Sequence, residues 1–248
     1  MSGAVQGITE FLPVSSSGHL AILQGFYGWS EPAVFFDICL HLATLAAVVT
    51  YFGKDIVDIL RRRDTLMIGC IAVSMVPAVI VGFLFEKKIE AAFASPKIVS
   101  ALFLVTALVL FAGQWAVKFR VSRETRMSFG RAVVIGIAQS IAILPGVSRS
   151  GMTVSAGLLT GIDTEKAFRF SFLMSVPIIL AAACLKALKT DLGAEIGASA
   201  ESYVAGMATA FILGILSLSV FSKVMKSKKL YIFGIYCFLL GVAGILFL

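Results

Sequence analysis

The sequence predicts an all-α polytopic membrane protein made of two inverted repeats, each a re-entrant helix hairpin plus three transmembrane helices, six full crossings in total. Three observations carry this. The 248 residues are 59% hydrophobic and only 14% charged, where a soluble domain carries about 25% charged residues. Four stretches, 65–85, 98–117, 202–222 and 230–248, contain no Asp, Glu, Lys or Arg, and each is close to the ~20 residues an α-helix needs to cross hydrocarbon. Finally, one signature occurs twice at an offset of 133 positions. Gly3 to Ile8 lies on Gly136 to Ile141 and Val14 to Gly18 lies on Val147 to Gly151, with seven identities in the seventeen positions 3–19.

The elements follow in order. Residues 2–12 enter as a short helix, Pro13 and the serines break it, and about 15–24 lead back out. Crossings follow near 32–52, 65–85 and 97–117. The second set repeats the scheme: 129–144 in, a break at Pro145-Gly146, 148–160 out, then crossings near 164–188, 201–222 and 230–248. Polar, Gly- and Pro-interrupted segments at matching places in two halves point to a site at mid-membrane. A re-entrant hairpin adds no net crossing, so each half crosses three times and the second half is upside down relative to the first. No linker separates folding units, so 1–248 reads as one integral membrane domain, repeat 1 about 1–117 and repeat 2 about 127–248.

The formal charge of +7 does not indicate nucleic acid, because the basic residues cluster in short gaps between apolar runs. The gaps 53–64, 118–131 and 223–229 hold four, five and four Lys or Arg, against five in total in the gaps 86–97 and 186–200. Cytoplasmic loops carry the excess, which places both termini outside. Cys39, Cys70, Cys184 and Cys237 stand far apart with no CxxC spacing and read as small packing residues. No cleavable signal peptide is evident, and the short first helix leaves room for a start upstream of Met1.

Ionisable groups at membrane depth are costly and mark function. Arg149 follows Gly146 and Ser148 at a helix start, where free N–H groups and the helix dipole favour an anion, and its guanidinium can grip two phosphate oxygens. The first copy offers Ser15, Ser16 and Ser17 at a second helix start. Ser16 and His19 are three apart and Ser15 and His19 four apart, so either pair shares a helical face, and a histidine near a serine can make its hydroxyl a nucleophile. Ser17 suits capping or ligand contact. Gln6 and Glu10, four apart, share a face of the entering helix. Beside a phosphate, Glu10 would hold a divalent cation, Mg²⁺ or Ca²⁺, with Gln6 as a weaker ligand and the phosphate completing the site, or it would orient His19. Gln139 matches Gln6 and reads as a bridge between the two broken helices or a substrate contact. Asp37 and His41 read as a buried polar pair that locks the hairpin.

The segments Gln6-Gly7-Ile8-Thr9-Glu10, Pro13 to His19 and Pro145 to Thr153 resemble the signatures of the bacterial undecaprenyl-diphosphate phosphatase, or bacitracin-resistance, family: its E/Q-x-x-x-E, serine-histidine and PGxSRSxxT motifs. The resemblance spans essentially the whole chain. It implies an integral membrane enzyme that hydrolyses undecaprenyl diphosphate to undecaprenyl phosphate and inorganic phosphate, recycling the lipid carrier of cell-wall synthesis with a divalent cation on the outward-facing side. It implies roles for Glu10, Ser16, His19 and Arg149, with Gln6, Ser15, Ser148, Ser150 and Thr153 in support. Gln6 departs from the second glutamate of many members. The type-2 phosphatidic acid phosphatases, whose SGH and SR motifs are echoed here, require a second histidine after SR, and positions 150–161 contain none.

These readings converge on a diphosphate held between two helix N-termini, one from each half. Arg149 and the N–H groups near Ser148, Ser150 and Gly151 stabilise the transferring phosphoryl group, Ser16 attacks with His19 as base, and Glu10 binds the cation or orients His19. A His19 nucleophile is the second version. The expected partners are a polyprenyl diphosphate and membrane lipids, with a homodimer left open. The rival reading is a lipid-phosphate carrier, since broken helices in inverted repeats also build alternating-access transporters. A carrier has little use for a Ser–His pair.

Overall fold

A computed structural model describes residues 1–27, 34–119, 126–189 and 200–248. The described residues form twelve helices and no strand. Repeat 1 comprises α1 (Ser2–Thr9), α2 (Ser16–Tyr27), α3 (Val34–Tyr51), α4 (Gly53–Arg61), α5 (Thr65–Leu84), α6 (Glu86–Phe93) and α7 (Pro96–Phe119). Repeat 2 comprises α8 (Phe129–Ile141), α9 (Arg149–Leu159), α10 (Thr164–Lys189), α11 (Ala200–Lys226) and α12 (Tyr231–Phe247). The chain is an all-α polytopic membrane protein. α5, α7, α10 and α11 are long and apolar enough to cross. α12 has 17 residues and α3 has 18, at the short end of the crossing range. The hairpin helices α1, α2, α8 and α9 have 8, 12, 13 and 11 residues, so none of them crosses alone.

Two gaps read as loops are helices. α4 turns 67° away from α3 and buries no residue, and α6 carries Glu86, Lys87, Lys88 and Glu90 beside Ile89 and Phe93. Charges on one face and apolar residues on the other suit a helix lying in the headgroup region. Both are far shorter than a membrane span.

The repeats are interlocked. α1 packs on α11 of the other half, and its counterpart α8 packs on α5 of the first. The glycine shared by the two signatures explains this: a Cβ on Gly3 would strike the Gly206 carbonyl, and one on Gly136 would strike the Ser74 carbonyl. Both contacts bring backbones together, as small residues do in membrane helix pairs. α3 and α10 also pack together, as do α7 and α12. Behind the first hairpin, Phe11, Phe172 and Phe221 are fully buried, with Phe11–Phe172 centroids 5.8 Å apart and Phe168–Phe172 4.8 Å apart, inside the favourable aromatic range. This core fixes Phe11, and with it Glu10, against repeat 2.

Candidate active site

The two hairpin breaks meet back to back. A Cβ on Gly18 would lie 2.8 Å from the Gly146 Cα, so glycine is required for the approach. Gly146 has φ +91° and Ser15 has φ +64°, the latter costly for a residue with a side chain. Hydrogen bonds hold that turn. Ser15 Oγ accepts from the Gly146 N–H at 3.1 Å and the Gly18 N–H at 3.3 Å. From α7, the Thr106 hydroxyl donates to the Gly146 carbonyl at 2.8 Å and accepts from the Ser148 N–H at 3.0 Å. Ser150 Oγ donates to the Leu12 carbonyl at 3.3 Å. The backbone at both breaks is thus satisfied inside protein, as apolar surroundings require.

Glu10 is the hub. Its Oε1 accepts from Arg149 Nη2 at 2.8 Å, and its Oε2 accepts from Ser16 Oγ at 2.6 Å and Gln6 Nε2 at 3.1 Å. The Arg149 and Glu10 side chains are 15% and 9% exposed, so this ion pair joins the two repeats in largely buried surroundings. Arg149 Nη1 is buried with no partner, as are Gln6 Oε1 and both polar atoms of Gln139.

A cavity of about 710 Å³ opens onto this cluster. Glu10, Ser15, Ser16, Ser17, Gln139, Ser148 and Arg149 form its polar end. Much of the remaining wall is apolar, from α5 (Ala78, Val79, Phe83) and α10 (Ile178, Ile179, Leu185), and His41, Glu86 and Lys186 also line it. A polar end continuous with an apolar wall suits a ligand with a charged head and a hydrocarbon tail.

Not every candidate residue is there. His19 does not meet Ser16: its Nδ1 lies 2.7 Å from the Ser15 carbonyl and its Nε2 2.7 Å from the Tyr236 hydroxyl. The i,i+3 spacing put both on one helical face, but Ser16 starts the helix and turns back to Glu10. Ser150 and Thr153, 0% and 1% exposed, point away from the cavity. Thr153 Oγ1 donates to the Arg149 carbonyl at 2.8 Å and lies 2.6 Å from Ser171 Oγ. Gly151 receives the helix cap, its N–H donating to Ser148 Oγ at 3.1 Å. Gln6 stands behind Glu10, outside the cavity wall. Gln139 bridges nothing. The Asp37–His41 pair is corrected as well: His41 Nδ1 lies 2.9 Å from the Asp37 backbone carbonyl, while the Asp37 carboxylate pairs with Lys186 of α10 at 3.0 Å.

Tyr236 and Thr106 were missed. Each is a hydroxyl inside a run without charge, and a polar group among hydrocarbon was the signal that could have found them.

Among the described residues no three His, Cys, Asp or Glu side chains group as a metal site. Glu10, on the cavity wall, fits the protein's share of one, while Gln6 lies outside that wall. A carboxylate accepts about four hydrogen bonds and Glu10 accepts three, while Gln6 Oε1 is an orphaned acceptor. Oxygen ligands completed by substrate phosphates are the usual arrangement for Mg²⁺.

Comparison with known proteins agrees with this geometry. The family model of bacitracin resistance protein BacA matches residues 1–243. Undecaprenyl-diphosphatase of Thermosipho africanus is 42% identical over 247 residues, covering 97% of this chain and 95% of the relative. That of Moorella thermoacetica is 40% identical, with 96% and 92% covered. That of Desulforapulum autotrophicum is 37% identical, with 98% and 95% covered. A family match over nearly the whole chain, with the three motifs converging on one cavity, leads to one conclusion: the chain belongs to the bacitracin resistance protein BacA family.

Proposed function

We propose that this protein hydrolyses a polyprenyl diphosphate, undecaprenyl diphosphate by analogy with its relatives, to the polyprenyl monophosphate and inorganic phosphate. The observation that carries the reading is the 2.6 Å hydrogen bond from Ser16 Oγ to Glu10, with Arg149 on the same carboxylate, at the polar end of a largely apolar cavity.

The diphosphate seats against Arg149, whose unpartnered Nη1 and helix-start position suit a phosphoryl oxygen. Ser16 Oγ attacks the terminal phosphorus and its proton passes to Glu10. The bond from that phosphorus to the bridging oxygen breaks, and the polyprenyl monophosphate leaves with the electron pair. The leaving oxygen takes the proton from Glu10, and the freed carboxylate then takes a proton from water as that water attacks the phosphorus on Ser16. The bond from phosphorus to Ser16 Oγ breaks, phosphate leaves, and Ser16 Oγ recovers its proton from Glu10. Arg149 stabilises the charge on the equatorial oxygens in both steps. Glu10, backed by Gln6, would hold a Mg²⁺ or Ca²⁺ ion, which when bound neutralises phosphate charge. Glu10 replaces His19 as base because it is the group on the serine.

The cavity lies beside Glu86, Ile89 and Lys186, at the ends that loop charge assigns to the outside, which supports an outward-facing site in a bacterial plasma membrane. The test is phosphate release by the purified protein from undecaprenyl diphosphate, with and without EDTA. Metal-dependent release is expected. No release under any divalent metal, with lipid phosphate still crossing proteoliposomes, would overturn hydrolysis in favour of a carrier.

A further inference from the structure

His19 is engaged at both ring nitrogens, and this defines its chemistry. A carbonyl oxygen only accepts, so Nδ1, 2.7 Å from the Ser15 carbonyl, carries a proton. In the neutral ring Nε2 is then a bare acceptor, and the group 2.7 Å from it is the Tyr236 hydroxyl, which donates. The two rings are stacked with an interplanar angle of 4° and centroids 5.7 Å apart, and Phe103 meets the imidazole edge-on at 5.2 Å. Tyr236 lies within α12, in the charge-free run 230–248, where a hydroxyl without a partner is costly.

The other end of this chain of contacts is the Ser15 turn. Ser15 occupies the left-handed region at φ +64°, which costs on the order of 1–3 kcal/mol unless surroundings impose it. Its carbonyl takes the His19 ring and its hydroxyl takes the Gly146 N–H at 3.1 Å. The next residue is Ser16, whose hydroxyl must stay on Glu10.

We propose that Tyr236 is a positioning residue for the reaction: its hydroxyl holds the His19 imidazole, which through Nδ1–H clamps the strained Ser15 turn and so presents Ser16 to Glu10. The proposal rests on the reading of Ser16 as nucleophile. It gives His19 a structural task in place of proton transfer to serine, and it assigns a function to the last helix of repeat 2, far in sequence from every motif. Tyr236 touches neither Glu10 nor Arg149, so its effect passes through serine placement and falls on turnover rather than binding.

The test uses full-length protein with undecaprenyl diphosphate. Tyr236→Phe is expected to lower kcat about tenfold, the equivalent of one lost hydrogen bond, with KM within twofold. In a His19→Phe background the same change is expected to alter kcat less than twofold, because the intermediary is gone. Unchanged kcat in Tyr236→Phe, an effect on KM alone, or equal losses in both backgrounds would each overturn the proposal. A readout free of activity accompanies it. The chain has two histidines, so ¹⁵N NMR of histidine-labelled protein can follow Nε2 of His19. Its resonance is expected to move in Tyr236→Phe while those of His41 stay, and an unmoved His19 resonance would overturn the proposal. If the wild type releases no phosphate, the hydrolytic reading fails, and the NMR result still decides the Tyr236–His19 contact.

Discussion

Replacing Arg149 by lysine separates the two tasks of its guanidinium. Nη2 holds Glu10 at 2.8 Å, and Nη1 is buried without a partner beside the cavity. A planar fork serves both at once, whereas an ammonium is a single point charge. Lysine keeps the positive charge, so Glu10 is not left as an uncompensated buried carboxylate, a loss that costs about 3–5 kcal/mol. What disappears is the second nitrogen of the fork, the donor proposed to meet phosphate. Removing one donor to a developing oxyanion typically costs about 2.7–4 kcal/mol, roughly 10²–10³ in kcat. Arg149→Lys is therefore expected to lower kcat for phosphate release by two to three orders of magnitude, with a thermal unfolding midpoint close to wild type. Arg149→Ala should lose both. The assay is initial-rate phosphate release in detergent micelles beside a thermal melt. A lysine variant within threefold of wild-type kcat would refute the division of labour. So would one as unstable as the alanine variant, since Glu10 would then depend on the fork itself.

Three further outcomes follow from the geometry. Gln139 is 3% exposed with both polar atoms unpartnered, so Gln139→Leu should leave stability unchanged or raised while raising KM about tenfold or more, as loss of a hydrogen bond to a charged ligand does; steady-state kinetics read both. Gly18→Ala places a Cβ 2.7 Å from Phe103 Cζ and 2.8 Å from the Gly146 Cα, and overpacking of about 1–3 kcal/mol should lower the melting temperature and the activity together. Gln6→Glu supplies a second carboxylate next to Glu10 and should lower the Mg²⁺ concentration needed for half-maximal rate, measured by titration into EDTA-treated protein; an unchanged requirement would show that a carboxylate at position 6 does not reach the ion.

Much of this molecule was legible because lipid simplifies the code. Charge-free runs located α5, α7, α11 and α12 within a few residues, and the repeated Gly-x-x-Gln and Val-Ser-x-Ser-Gly located both hairpin breaks. The convergence of Glu10, Ser16 and Arg149 followed from placing the breaks opposite each other. Side-chain direction was not legible. Ser16 and His19 are neighbours in a regular helix, but Ser15 at φ +64° sits where the turn ends and the helix begins, and the periodic rule does not extend across that joint. Thr153 and Ser150 share the motif of Arg149, yet α9 turns them onto Ser171 and the Leu12 carbonyl. Tyr236 was hidden for another reason: it acts across 217 positions, and no local pattern records a partner so distant. α4 and α6 escaped because short interfacial helices are neither spans nor turns.

The proposed reaction depends on the Ser16 hydroxyl as the group that takes the phosphoryl, and Ser16→Ala measures this most directly. Single-turnover phosphate release from undecaprenyl diphosphate by that variant is expected to fall by at least a thousandfold, with substrate still bound and the protein still folded. Release at the wild-type rate would contradict it, leaving Glu10 and Arg149 to act on water without a covalent step.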